Sequence, residues 1–292
     1  MSTKHSKSSR HGPPAGEGAA VDWLAVAGLH RFWARAHRTD REPWPQQSEI
    51  KRLADRHAGF ADWLASHGGA ASLAAALQEA WGQFHAGDFA RAIAMGQDLG
   101  PLGAVVANRA AAVDTLYSRH SHAQILKILE TAAARGERAV QLLEHHANAH
   151  YMLALVLGRY SQRISILNAL AQGLGGRIRT HLERVLALEP RHAEAHLALG
   201  LYHAEIVGKL GSIAAGLTYG ASPSAAVEHF QRALKLAPTA PIVLIEYAHG
   251  LLLLDKDGNR QQARSLYQRA AECEPLDAME HLDVARARAG LE

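Results

Sequence analysis

Apolar positions along this chain recur at helical rather than strand spacing. Over residues 21–38 (VDWLAVAGLHRFWARAHR) they fall at Val21, Leu24, Ala25, Phe32, Trp33 and Ala36, with His30, Arg31, Arg35 and Arg38 on the remaining surface. This spacing predicts an amphipathic helix. Pro43-Trp44-Pro45 within Thr39–Gln47 must break it. Ser48 then stands as an N-cap for a helix through about His67, which Gly68-Gly69 ends. From Ala70 onward the pattern changes to helices in pairs. A signature recurs there: a small residue, a large one four later, a small one three after that, and a proline five further on. It reads Ala226, Phe230, Ala233, Pro238, then Ala263, Tyr267, Ala270, Pro275, with a weaker copy at Ile178, Leu182, Val185, Pro190. Leu199-Gly200 shows the first half of such a unit, and Gly87-Asp88-Phe89 followed by Ala92 has the form of its inter-helix turn.

The signature describes a helical hairpin. Small residues let two helices approach, the aromatic fills the gap to the next hairpin, and the proline stops the second helix. One hairpin leaves an apolar face open, so several must stack. The pattern resembles the tetratricopeptide repeat, whose unit is about 34 residues. Here 48 residues separate Pro190 from Pro238 and 37 separate Pro238 from Pro275. The excess falls between the helices of a unit, in Gly208–Ser222 and within Asp255–Asn259. The expected units are 72–101, 102–144, 147–190, 191–238 and 239–275, followed by a capping helix over 276–289. The expected organisation is a disordered tail (1–20), an N-terminal helical segment (21–69) and a repeat domain (70–292). The expected fold is all-α: a short right-handed solenoid of helical hairpins with long insertions inside the repeats.

Composition agrees with helix. The 292 residues hold 57 Ala and 38 Leu, while aromatics are 6%; Ala and Leu favour helices and strand formers are sparse. Cys273 is the single cysteine, which excludes an internal disulfide framework and a cysteine-only zinc site. No apolar run reaches the roughly 18 residues a spanning helix requires. Residues 1–20 are polar and carry no apolar core of a signal peptide, so the expected location is cytoplasmic. A net charge of +3 is small for this size and argues against a nucleic-acid partner.

Two stretches carry a closer resemblance. GRYSQRISILNALAQGLGGRIRTHLERVLALEPRHAEAHLALG (Gly158–Gly200) is followed by LYHAEIVGKLGSIAAGLTYGASPSAAVEHFQRALKLAP, ending at Pro238. The Arg-Ile after Gly175-Gly176, the long insertion within the repeat, and Ala225-Ala226 leading into Glu228-His229-Phe230 resemble the regulator of microtubule dynamics family. They also resemble its bacterial relatives, including the T-component proteins of TRAP transporters. The resemblance implies a tetratricopeptide-like helical protein without a known active site.

Candidate chemistry is thin. Histidine is abundant, with 19 copies. His146 and His150 stand four apart, His192 and His196 repeat that spacing, and His203 lies two turns beyond, so each pair shares a helix face that suits two metal ligands. The plainer reading places them at helix starts, with no metal and no cofactor. Gly173-Leu174-Gly175-Gly176 and Gly208-Lys209-Leu210-Gly211 lack the phosphate-loop pattern. Ser161, Ser165 and Ser212 sit in no nucleophile elbow, and Cys273 reads as a small apolar residue beside a helix end. No enzyme is expected.

The expected function is therefore a non-catalytic scaffold. Its first helices line a concave groove that binds a protein or peptide segment. By register the groove includes Leu77, Trp81, Phe84, Tyr151, Leu155, Arg159, Leu197, Leu201, Glu205, Ile245 and His249. Alternatives are an accessory component of a transport system and a membrane adaptor held by Val21–Arg38, for which packing on the first repeat is the favoured reading. Oligomeric state is left open. The insertion Gly208–Ser222 is apolar and small, which predicts an ordered helix over Ile213–Leu217 with Tyr219-Gly220 turning back. Ile213, Leu217 and Tyr219 are expected to bury against the equivalent insertion Ser165–Leu174, forming an apolar ridge beside the groove; the alternative is burial against a second copy of the chain.

Overall fold

The computed structural model describes residues 22–291; the tail expected over residues 1–20 lies outside them. The described residues form sixteen helices and no strand. Three short helices come first: α1 (Val26–Ala36), α2 (Gln47–Ala54) and α3 (Ala58–Ser66). Hairpins follow: α4 (Gly69–Ala86) with α5 (Phe89–Gln97), α6 (Gly100–Tyr117) with α7 (His122–Leu142), and α8 (Ala147–Ser161) with α10 (Leu174–Leu188). Then come α11 (Ala193–Leu210) with α13 (Pro223–Leu236), and α14 (Pro241–Leu254) with α15 (Arg260–Ala271). Two short helices occupy the insertions, α9 (Ile166–Ala171) and α12 (Ser212–Tyr219), and α16 (Ala278–Ala289) closes the chain. Consecutive hairpins pack on one another in an all-α array, α6 on α8 and α11 on α14 through their first helices, and the α8/α10 hairpin on α11 through α10.

The recurring signature does the packing expected of it. Ala226, Phe230 and Ala233 are fully buried on α13. The Phe230 ring sits between two first helices. A Cβ placed on Gly200 of α11 would lie 2.5 Å from it, and one on Gly250 of α14 only 2.1 Å. These glycines are required by close approach, not by backbone angle.

The N-terminal segment departs from its expectation. The helix expected from Ser48 to His67 is two helices, with Gln46 in the capping position and a turn at Asp55–His57. The turn swings α3 so that Gly59 lies against Leu142 of α7, while Ile50, Leu53, Phe60 and Leu64 still share one core. The amphipathic helix α1 spends its apolar face inside the protein. Leu29 and Trp33 are buried, Trp33 stands edge-on to Trp81 of α4, and its indole N–H donates to the Glu42 carbonyl at 2.8 Å.

After α1 the chain forms a strap over residues 37–45 that runs across the concave face. Thr39 Oγ1 donates to Glu194 of α11 at 2.5 Å, and Asn148 of α8 donates to the Asp40 carbonyl at 3.0 Å and to Glu42 Oε2 at 2.6 Å. Arg109 of α6 reaches Asp40 Oδ2 and Glu194 Oε1, both at 2.8 Å. Burial alone raises the Asp40 carboxyl, but the charges of His37 and Arg109 hold it well below the usual carboxylate range. From the other end of the chain, α16 settles beside the strap. Asp277 meets His85 of α4 at 2.7 Å, His85 meets His37 at 3.2 Å, and Arg38 pairs with Glu280. The His37 and His85 rings each direct Nδ1 at a carboxylate, and their Nε2 atoms face each other.

Candidate functional site

Beyond the strap the concave face opens into a chamber of about 390 Å³. Ala112, Val113 and Tyr117 of α6 form one side, and Tyr151, Ala154, Leu155 and Arg159 of α8 the next. Ile178 and Leu182 of α10, then Leu197, Ala198, Leu201, Tyr202 and Glu205 of α11, continue the wall. Ile242 and Glu246 of α14 with Met279 and Asp283 of α16 complete it. Most of this surface is apolar because first helices of a solenoid turn small and aliphatic residues inward on a curved face.

Polar groups gather where α6, α8, α14 and α16 meet. Arg286 donates to Glu246 Oε1 at 2.8 Å, and Arg159 approaches the same oxygen at 3.9 Å. Burial would raise Glu246, yet the neighbouring His249 ring and the charges of Arg159 and Arg286 bring it well below its ordinary value. Tyr117 donates to Asp283 Oδ1 at 2.6 Å. Asp283 is 1% exposed, and burial pushes its carboxyl up to about 7. Three buried polar atoms on this wall have no partner: Asp283 Oδ2, Arg159 Nε and Arg109 Nε. Such groups are expensive to leave unsatisfied.

The mouth is bordered by the two insertions. Ala169 and Leu170 stand on one side, Leu210 and Tyr219 on the other. Tyr219 lies over Gly175, and its carbonyl accepts from Arg179 at 2.9 Å. The apolar ridge expected here is corrected by the structure. α9 packs principally on α10 and α12 on α11, and Ile213 and Leu217 are 81% and 86% exposed. The physical reason is the side of α12 that is buried. Ala215 packs with Ala221 against Tyr202 and Val207, which turns positions 213 and 217 outward.

Of the residues expected in the groove, Tyr151, Leu155, Arg159, Leu197, Leu201 and Glu205 line the chamber. Leu77, Trp81, Phe84 and Ile245 do not. All four are buried in the core, where α1, α2 and neighbouring repeats cover them. His249 stands outside the chamber, 3.5 Å from Glu246. The sequence reading missed Tyr117, Arg109, Glu246, Met279 and Asp283. Its one usable signal was a carboxylate at 283 on the inward side of the capping helix.

The histidines serve the helices. His146 and His192 cap α8 and α11, their Nδ1 atoms accepting from Ala149 N at 3.2 Å and Ala195 N at 3.0 Å, and burial lowers each to about 4. His150 meets His181 Nδ1 to Nδ1 at 2.9 Å, and His196 meets His229 in the same way at 3.0 Å. Among the described residues no group of three or more His, Cys, Asp or Glu side chains is placed to hold a metal ion. No described helix is long and apolar enough to cross a membrane.

Fold and site together define a helical-hairpin repeat protein with an internal chamber on its concave side. The family model for regulator of microtubule dynamics protein 1-3 matches residues 104–289, well over half of the chain, and the chain belongs to that family. A search of curated protein sequences returned no match. The matched region begins within α6 and ends with α16, so it contains every helix of the chamber wall.

Proposed function

We propose that this protein is a non-catalytic binding module that holds one apolar chain with a single polar end inside the chamber. The observation that carries this reading is the largely apolar, half-open cavity of about 390 Å³ with unpartnered polar atoms on Arg109, Arg159 and Asp283. Small-molecule pockets span roughly 300–1,000 Å³ and combine apolar lining with a few placed polar groups. The open groove needed for a long peptide is shortened by the strap and α16, which already occupy its first half. The tetratricopeptide relationship fits the hairpin stacking, and an accessory role in transport would use the same chamber. The family's name concerns microtubule dynamics; the chamber carries this reading independently of it.

A second reading has one observation in its favour. Leu170, Ile213 and Leu217 stand exposed near the mouth, where a partner protein's apolar segment would meet them. Native mass spectrometry of the purified protein separates the two. A co-purifying small apolar molecule, lost in Ala198→Trp, supports the chamber. If the protein carries none, and a fluorescent fatty-acyl probe binds wild type and Ala198→Trp alike, the small-molecule reading fails.

A further inference from the structure

We infer that the polar end held in this chamber is an uncharged hydroxyl, which donates to Asp283 Oδ2 and accepts from Arg159 Nε. The inference rests on the chamber reading above and adds the chemical class of the ligand's head.

The wall's arginines are already engaged. Arg109 is shared between Asp40 and Glu194, and Arg286 and Arg159 both face Glu246. A carboxylate or phosphate head would have to compete with these buried carboxylates for a cation and lose its own hydration in doing so. What the wall does leave over is hydrogen-bonding capacity of both kinds: an acceptor at Asp283 Oδ2 and a donor at Arg159 Nε, both buried and unpartnered. The Asp283 side chain is held in place by Tyr117, which occupies its other oxygen. Arg159 is held toward the same cluster by Glu246. A head that both donates and accepts satisfies the two at once. A hydroxyl does so with no net charge; an ether only accepts, and an ammonium only donates and places a cation beside Arg159 and Arg286. A chain alcohol, such as the free hydroxyl of a mono-acylated glycerol, has this chemistry.

The test uses the full-length protein and competition against a fluorescent apolar probe by five ligands with the same dodecyl chain: the alcohol, its methyl ether, the carboxylate, the phosphate and the ammonium. In wild type at pH 8 the alcohol should displace the probe about tenfold better than the methyl ether, the worth of one buried hydrogen bond. It should also outcompete all three charged heads. In Asp283→Asn the amide keeps an oxygen for Tyr117 and puts a donor where the free acceptor stood. The alcohol's advantage over the ether should then fall to about one, with thermal melting confirming a folded variant. In Arg159→Met both alcohol and ether should weaken together. A carboxylate or phosphate that binds more tightly than the alcohol overturns the inference, as does an alcohol preference that survives Asp283→Asn. Both outcomes leave the chamber reading intact. Failure of every dodecyl ligand to displace the probe would sink the chamber reading along with it.

Discussion

The two halves of the concave face are built alike and filled differently. At the α4–α6 end the strap and the start of α16 lie in the groove. They lock there through a buried relay from Asp277 through His85, His37 and Asp40 to Arg109 and Glu194. At the α8–α14 end the same kind of inward surface lines the chamber, and Asp283 Oδ2 and Arg159 Nε there lack partners. The difference teaches that stacked hairpins specify a concave surface but not its occupant. Where the chain supplies the occupant, each carboxylate on the wall finds a partner; where it does not, Asp283 Oδ2 and Arg159 Nε retain hydrogen-bonding capacity.

The comparison breaks most severely at Arg109. Replacing it by Ala leaves Asp40 and Glu194 buried without their counter-charge, which should cost about 3–5 kcal/mol in denaturant unfolding. A loss below about 1 kcal/mol would mean that the strap is not held by this pair. Gly250→Ala comes next. Its new methyl meets the Phe230 ring, and overpacking should cost about 1–3 kcal/mol. An unchanged melting temperature would show that the α13–α14 seam yields freely.

Asp283 sharpens the comparison through pH. Its carboxyl is raised from 3.8 to about 7. The native state therefore keeps a proton that the unfolded chain releases. Stability from this group is complete below about pH 4 and is lost as pH rises through 7. Asp283→Asn does not titrate, so its stability relative to wild type should grow between pH 4 and 8, by up to about 4 kcal/mol. His146, His181 and His192, lowered by burial to about 4, act in the opposite sense: their contribution is present above 6.5 and lost as pH falls toward 4. Being common to both proteins, they cancel in the difference. A flat difference curve would show that Asp283 is hydrated at the wall.

Smaller effects are expected at the open end. Ala198→Trp should cost under about 1 kcal/mol, since the ring enters free volume, while removing probe binding. The double change Ile213→Ser with Leu217→Ser should alter stability by no more than about 0.5 kcal/mol, because both side chains already face solvent. A larger loss would place α12 against something the isolated chain does not show.

The hairpins were legible because their signals are local. Ala226, Phe230, Ala233 and Pro238 all lie within one helix and its stop, and helical spacing alone says which of them meet the neighbour. Six residues of the expected groove line the chamber for the same reason, since the inward register of α8 and α11 follows from their own periodicity. Trp81 and Phe84 obey the same register on α4, yet they are buried because Trp23, Leu29 and Trp33 arrive from far earlier in the chain to cover them. Ile213 and Leu217 failed differently. Apolarity argued for burial, but an eight-residue helix has two sides, and the small side, with Ala215, is the one that packs.

By itself, then, the sequence determined an array of helical hairpins, its close-packing glycines and small residues, and the inward faces of its first helices. These depend on interactions within a turn or two of helix and between consecutive units. Only the tertiary structure decided which part of the concave face stays open. That depends on where the strap of residues 37–45 and the closing helix α16 come to rest, more than a hundred residues from the walls they touch at Glu194 and Tyr117. Such contacts carry no periodic signal. They follow from burying Asp40 and Asp277 beside the few groups able to match them, and that choice exists only once the helices have stacked.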